Sequence, residues 1–166
     1  MILSTFLLSA LATPWPAPVT EYVLAAIRKP DPGSTFDETT KELRRLPEAE
    51  WIPALLRNGY DGLLLCEGNE ETPIGACYFQ RLSTIGCVSL FFVRVEEPHR
   101  EKGYMKRLGA EFLEHVHAEG FRTARIGKGG DPRTVHLWEL ALKGELGLSF
   151  AVRKGSDVGE IILPPR

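Results

Sequence analysis

One corner of the chain constrains its fold more than any other part. Val88 to Val95 is an apolar run long enough for a buried strand, and the polar segment Glu96–Gly103 follows it. Met105, Leu108, Phe112 and Val116 then recur at helical spacing, so the loop opens directly into an amphipathic helix. Gly103 stands where loop becomes helix. A glycine there lets backbone approach a ligand closely, and the first helical turn leaves N–H groups without intrahelical acceptors. Such a strand–loop–helix corner is a ready site for anions, phosphates above all.

Arg100, Lys102, Lys106 and Arg107 bring four positive charges to this corner. Two readings stand side by side. Surface cations are commonly a solvated helix end. Cations at a helix N-terminus, however, oppose the macrodipole by roughly 0.3–1 kcal/mol each, which a bound anion would offset. A second glycine-rich stretch, Gly127-Lys128-Gly129-Gly130, lacks the Lys-Ser/Thr pair of a phosphate-binding P-loop and reads as a turn.

Upstream, Pro14, Pro16 and Pro18 separate an apolar N-terminal stretch from the remainder. Residues 20–29 fit either a strand or a helix. Pro30-Asp31-Pro32-Gly33 is a turn, and helices are expected over Thr35–Leu46 and Pro47–Arg57, the second ending near Asn58-Gly59. From Gly62 the pattern turns to strands. Leu63–Cys66 is short, and Ile74–Leu82 and Ile85–Val95 form a hairpin across Ser83-Thr84. The helix from Met105 ends at Gly120, and Arg122–Ile126 is a further strand. A helix over Pro132–Lys143 has Asp131 as its expected N-cap, and Leu148–Arg153 with Val158–Leu163 make a last hairpin. A helix between two strands otherwise adjacent in the chain implies a parallel step in a mixed, mostly antiparallel sheet.

The 166 residues, 43% of them apolar, suit one domain with a sizeable core. A net charge of −2 argues against a dedicated nucleic-acid binder. Cys66, Cys77 and Cys87 all lie in apolar runs without a Cys-x-x-Cys pair, so they read as buried free thiols of a reducing compartment. His115 and His117 are two apart on one helix and cannot converge on a metal, so no metal site is expected. Met1–Ala12 contains a small-x-small triplet, Ala10-Leu11-Ala12, but no Lys or Arg precedes it and it is too short to span a bilayer. A buried strand or helix is expected there rather than a signal, and the chain is read as cytoplasmic and not membrane-bound.

Arg100, Gly103 and the helix after them resemble the acyl-CoA pyrophosphate loop of the GNAT superfamily of N-acetyltransferases, R-x-x-G-x-G/A, with Met105 where Gly or Ala is usual. The order of strands and helices over Gly62–Leu163 is similar to the GNAT core. The resemblance implies an α/β (α+β) fold over residues 1–166 as one domain, with 1–60 a variable N-terminal part and 62–163 the acyl-CoA-binding core. It implies acetyl-CoA as acyl donor and an amine, on a small molecule or a protein, as acceptor. Val93 and Val95 would face the pantetheine arm through backbone groups. The N–H groups of Lys102, Gly103, Tyr104 and Met105 would hold the pyrophosphate, with Arg100 adding charge. An apolar N-terminal segment or the last hairpin would serve a homodimer.

The resemblance also implies direct attack of an amine on the thioester, with a tyrosine protonating the leaving thiolate. Trp138 stands at that tyrosine's position, and an indole N–H donates a hydrogen bond but is no acid near neutral pH. The strand from Cys87 to Val95 carries no carboxylate to act as base. Glu96, Glu97, His99, Tyr104 and His136 are the remaining acid–base candidates, and histidine has the best intrinsic pKa. The alternative expectation is a non-catalytic acyl-CoA-binding module.

Overall fold

The computed structural model describes residues 3–8, 15, 17–30, 36–68, 72–127, 132–147, 151–154 and 158–166. These form one seven-stranded sheet in the order β1-β2-β3-β4-β5-β7-β6. The strands are β1 (Leu3–Leu8), β2 (Tyr60–Glu67), β3 (Pro73–Leu82), β4 (Cys87–Val95), β5 (Thr123–Gly127), β6 (Ala151–Lys154) and β7 (Val158–Ile162). Every neighbouring pair is antiparallel except β4 and β5, which run parallel across the helix that joins them. The apolar N-terminal stretch is thus a strand, laid along β2 with Leu3 opposite Glu67 and Leu8 opposite Gly62. Residues 10–12, which carry the small-x-small triplet, lie outside the described residues, as do those of the expected turns at 31–33, 128–130 and 155–157 and the expected cap Asp131.

The ambiguous segment 20–29 is a helix, α1 (Ala17–Arg28), because Val19, Val23, Ala26 and Ile27 fall on one face and are buried. α2 spans Phe36–Leu43. The helix expected from Pro47 is split: Pro47 precedes a 3-10 turn, Glu48–Glu50, and only Trp51–Arg57 is α-helical (α3). α4 runs Tyr104–Ala118 and α5 Pro132–Leu142. No helix among the described residues is long and apolar enough to cross a membrane.

The helices cover the sheet on both faces and divide the core in two. On one face α4 and α5 pack over Leu63, Leu65, Phe79, Val88 and Ile126, with the Phe79 and Phe112 rings 5.2 Å apart. On the other α1, α2 and α3 cover Leu64, Cys66, Ala76 and Tyr78, and Trp15 stacks on Tyr78. Two glycines let the α4/α5 layer close tightly. A Cβ at Gly109 would stand 2.4 Å from Leu137, and one at Gly159 would stand 2.3 Å from the Trp138 ring. Gly159→Ala is therefore expected to destabilise by about 1–3 kcal/mol through overpacking, although alanine is no worse a strand residue than glycine. Gly127→Ala, whose Cβ would meet nothing within 4 Å, is the control. Equal urea midpoints for the two variants would show that the indole yields without cost.

The end of the sheet farthest from Gly103 is held by charge. Asp61 is fully buried at the start of β2, 2.6 Å from Arg81 at the end of β3. Arg81 also makes a bidentate pair with Glu119, which follows α4, and its guanidinium lies 5.4 Å from the Phe79 ring centre. His115 sits 3.0 Å from the same Glu119. Burial pushes the His115 imidazole down, and the Glu119 charge opposes this only in part. Burial raises Glu119, but the Arg81 hydrogen bond and charge outweigh it and leave the carboxyl below its usual value. Cys66, Cys77 and Cys87 are buried and in no disulfide among the described residues, and burial drives the Cys77 thiol up to about 12, which makes it inert.

Candidate functional site

The site begins with a break in the sheet. β4 pairs with β5 only from Cys87 opposite Thr123 to Leu90 opposite Ile126. β5 ends one residue later, at Gly127, while β4 runs on to Val95 with no strand paired to this edge among the described residues. On its other edge β4 stays paired with β3 as far as Val95, but the register slips at Phe91: Phe79 lies opposite Leu90 and Tyr78 opposite Phe92. Phe91 is the extra residue of a β-bulge. The bulge also moves the buried face by one residue, since Val88 and Leu90 point into the α4/α5 layer before it and Val93 and Val95 after it.

The backbone direction past the bulge follows from one hydrogen bond. Glu96 donates its N–H to the Ile74 carbonyl on β3, at 2.8 Å. Backbone groups of alternate residues in a strand face opposite edges. Val93 and Val95 accordingly turn their N–H and C=O toward this open edge. A fork open on one side, lined by the Val93 backbone and the Val95 N–H, is a slot for an extended chain with amide groups.

At the mouth of the slot a 3-10 turn, Glu97–His99, leads into the loop. Glu101 (φ 62°) and Gly103 (φ 80°) are both left-handed, and for glutamate this is uncommon. Gly103 is the N-cap of α4 and no side chain caps the helix. A Cβ at Gly103 would meet nothing within 4 Å, so there is open space beside the uncapped first turn. Tyr104 and Met105 are half-buried and pack against the α4/α5 core. Met105, standing where the GNAT loop has Gly or Ala, is thus turned into the protein and leaves the approach to the backbone open.

The four cations do not act together as their spacing suggests. Arg107 pairs with Glu111 one turn on (2.7 Å), and Lys106 lies 3.5 Å from Glu145. Arg100 donates its Nε–H to the Val95 carbonyl at 3.0 Å, tying the loop back to the end of β4. Lys102 is exposed and has no ion-pair partner among the described residues. Two of the four cations are thus offset by glutamates and one is a strut, which leaves Lys102 as the exposed charge that a bound anion would need.

The acid–base candidates are scattered. Glu96 pairs with Arg94 at 3.1 Å, Glu97 is exposed, and His136 is exposed on α5. His99 is half-buried, its ring 6.3 Å from that of Tyr104, and its Nδ1 is buried without a hydrogen-bond partner. Trp138 is buried on Gly159 as a packing residue. Sequence reasoning missed the bulge, although the change of phase across Phe91-Phe92 is its signal.

No family model matches the chain, and no curated protein matches it. Solved structures do. GCN5 from Tetrahymena is similar over 98% of both chains, with a TM-score of 0.61 at 13% identity. A GNAT superfamily phosphinothricin acetyltransferase from Sinorhizobium meliloti, solved with acetyl-CoA, is similar over 99% of this chain and 89% of its own, with a TM-score of 0.60 at 20% identity. The PaiA N-acetyltransferase of Thermoplasma acidophilum, solved with coenzyme A, covers 98% of this chain and 99% of its own, with a TM-score of 0.59 at 15% identity. The chain has the GNAT fold, a mixed, mostly antiparallel sheet flanked by helices, as its loop and element order suggest.

Proposed function

We propose that this chain is an acetyl-CoA-dependent N-acetyltransferase. The observation that carries the reading is the junction of two features: beyond Leu90 the edge of β4 has no paired strand among the described residues, and the uncapped start of α4 stands at the mouth of this fork. The slot suits a pantetheine arm, whose amides can pair with the backbone of Val93 and Val95. The N–H groups of Lys102, Gly103, Tyr104 and Met105 suit the pyrophosphate, with Lys102 as its exposed counter-charge and Arg100 holding the loop in shape. Two neighbours of the same fold were solved with coenzyme A or acetyl-CoA, which supports this donor. Three buried cysteines held as thiols support a reducing compartment such as the cytoplasm.

In the proposed reaction a neutral acceptor amine attacks the thioester carbonyl, loses its proton to water or to an exposed base, and the thiolate leaves. Glu97, His99 and His136 are the bases to test. A rate set by the fraction of neutral amine climbs through pH 8–9, whereas a rate that levels off near pH 6–7 implicates a histidine. Acetyl-CoA at a hundred times its dissociation constant is expected to stabilise the fold by about 2.7 kcal/mol, seen as a raised Tm, and ATP or NAD to do much less. No shift with millimolar acetyl-CoA or CoA would overturn the reading. The second reading, an acyl-CoA-binding module without turnover, is favoured by Trp138, which gives the leaving thiolate no acid. Tight acetyl-CoA binding with no CoA release across amines, peptides and polyamines would select it.

A further inference from the structure

We infer that Trp138 sets the length of acyl chain the fork accepts and restricts it to short groups such as acetyl; this rests on the acyl-CoA reading above and goes on to its specificity. The argument is one of level and height. The last paired residues of β4 and β5 are Leu90 and Ile126. Across the next edge of the sheet, Ile126 stands opposite Gly159. The six-membered ring of Trp138 lies against Gly159, so closely that a Cβ there would come within 2.3 Å of it. The indole therefore stands level with the fork, on the face covered by α4 and α5, about one strand spacing beyond Ile126.

An acyl-CoA with its pyrophosphate at Gly103 runs past Val95 and Val93 and carries its acyl group toward this fork. Each added methylene extends the chain toward the wall that α5 makes over β5. The wall is high at Trp138 and low one turn earlier, where the buried residue is the smaller Thr134. The indole has little freedom to swing away. Trp138 is only 6% exposed, and the neighbouring Leu137 is seated on Gly109 of α4, which fixes the rotation of α5. A glycine at 159 is what allows so large a ring to lie against the sheet at this level.

The test is a calorimetric series of acetyl-, butyryl- and hexanoyl-CoA against the parent and the Trp138→Leu and Trp138→Phe variants, each checked for a cooperative thermal melt. The parent is expected to bind acetyl-CoA more tightly than hexanoyl-CoA. Trp138→Leu should raise the hexanoyl-to-acetyl affinity ratio by about fourfold for each methylene that finds room, and Trp138→Phe by less. An unchanged ratio in either folded variant overturns the inference. So does a parent that binds hexanoyl-CoA as tightly as acetyl-CoA, a result that needs no variant to fold. A parent that binds none of the three overturns the acyl-CoA reading as well, whereas acetyl-CoA binding with an unchanged ratio overturns this inference alone.

Discussion

Arg81→Met is expected to cost about 3–5 kcal/mol of stability at neutral pH, because it leaves two carboxylates without their counter-charge. Asp61 is fully buried 2.6 Å from the guanidinium, and Glu119 shares the same group. Methionine replaces the aliphatic stem but not the charge. The deficit should shrink in acid, because a carboxyl that takes up a proton no longer needs a cation. The parent itself should weaken in acid. His115 and Glu119 both hold their protons less tightly folded than unfolded, since their pKa values lie below 6.5 and 4.5. The unfolded chain therefore takes up protons first as pH falls. Their contribution is complete above about pH 6.5 and is lost progressively as pH drops through the folded values. Urea titrations of parent and variant at pH 7 and pH 4 measure both effects, and an equal deficit at the two pH values would show that charge is not what Arg81 supplies.

Gly103→Val is expected to weaken acetyl-CoA binding at least about a hundredfold, or about 2.7 kcal/mol, while leaving a folded protein. Gly103 holds φ at 80°, which a β-branched residue resists, so the loop must turn and re-aim the first N–H groups of α4. A Cβ there meets no protein atom, so the fold should lose only about 1–2 kcal/mol from the left-handed conformation. Gly103→Asn separates the two causes. Asparagine tolerates this conformation, so affinity it retains reports backbone shape, and affinity it loses reports close approach of the ligand. Calorimetry with acetyl-CoA decides, and a folded valine variant binding like the parent would show that the loop does not hold the pyrophosphate.

The corner that carries the proposal was legible because it is local. An apolar run, a polar loop with glycine and a 3.6-residue pattern occupy about thirty consecutive residues, and β4, the loop and α4 follow them closely. Arg107 and Glu111 are an i,i+4 pair legible from spacing, but two other charges at the corner find partners that spacing does not give. Glu145 reaches Lys106 from beyond α5, and Arg100 finds its acceptor on a strand carbonyl. Trp138 read as a displaced catalytic position, but its surroundings come from a glycine 21 residues later.

Local pattern therefore determined the elements, their order, the parallel step and the glycine at which α4 begins, since each depends on backbone preference and hydrophobic period within a few turns. Tertiary structure alone decided which charges are satisfied, that Asp61, Arg81, His115 and Glu119 form one network anchored on a buried aspartate, and that Met105 turns inward. Those depend on which distant residues are brought within a few ångströms, and no period along the chain encodes that distance.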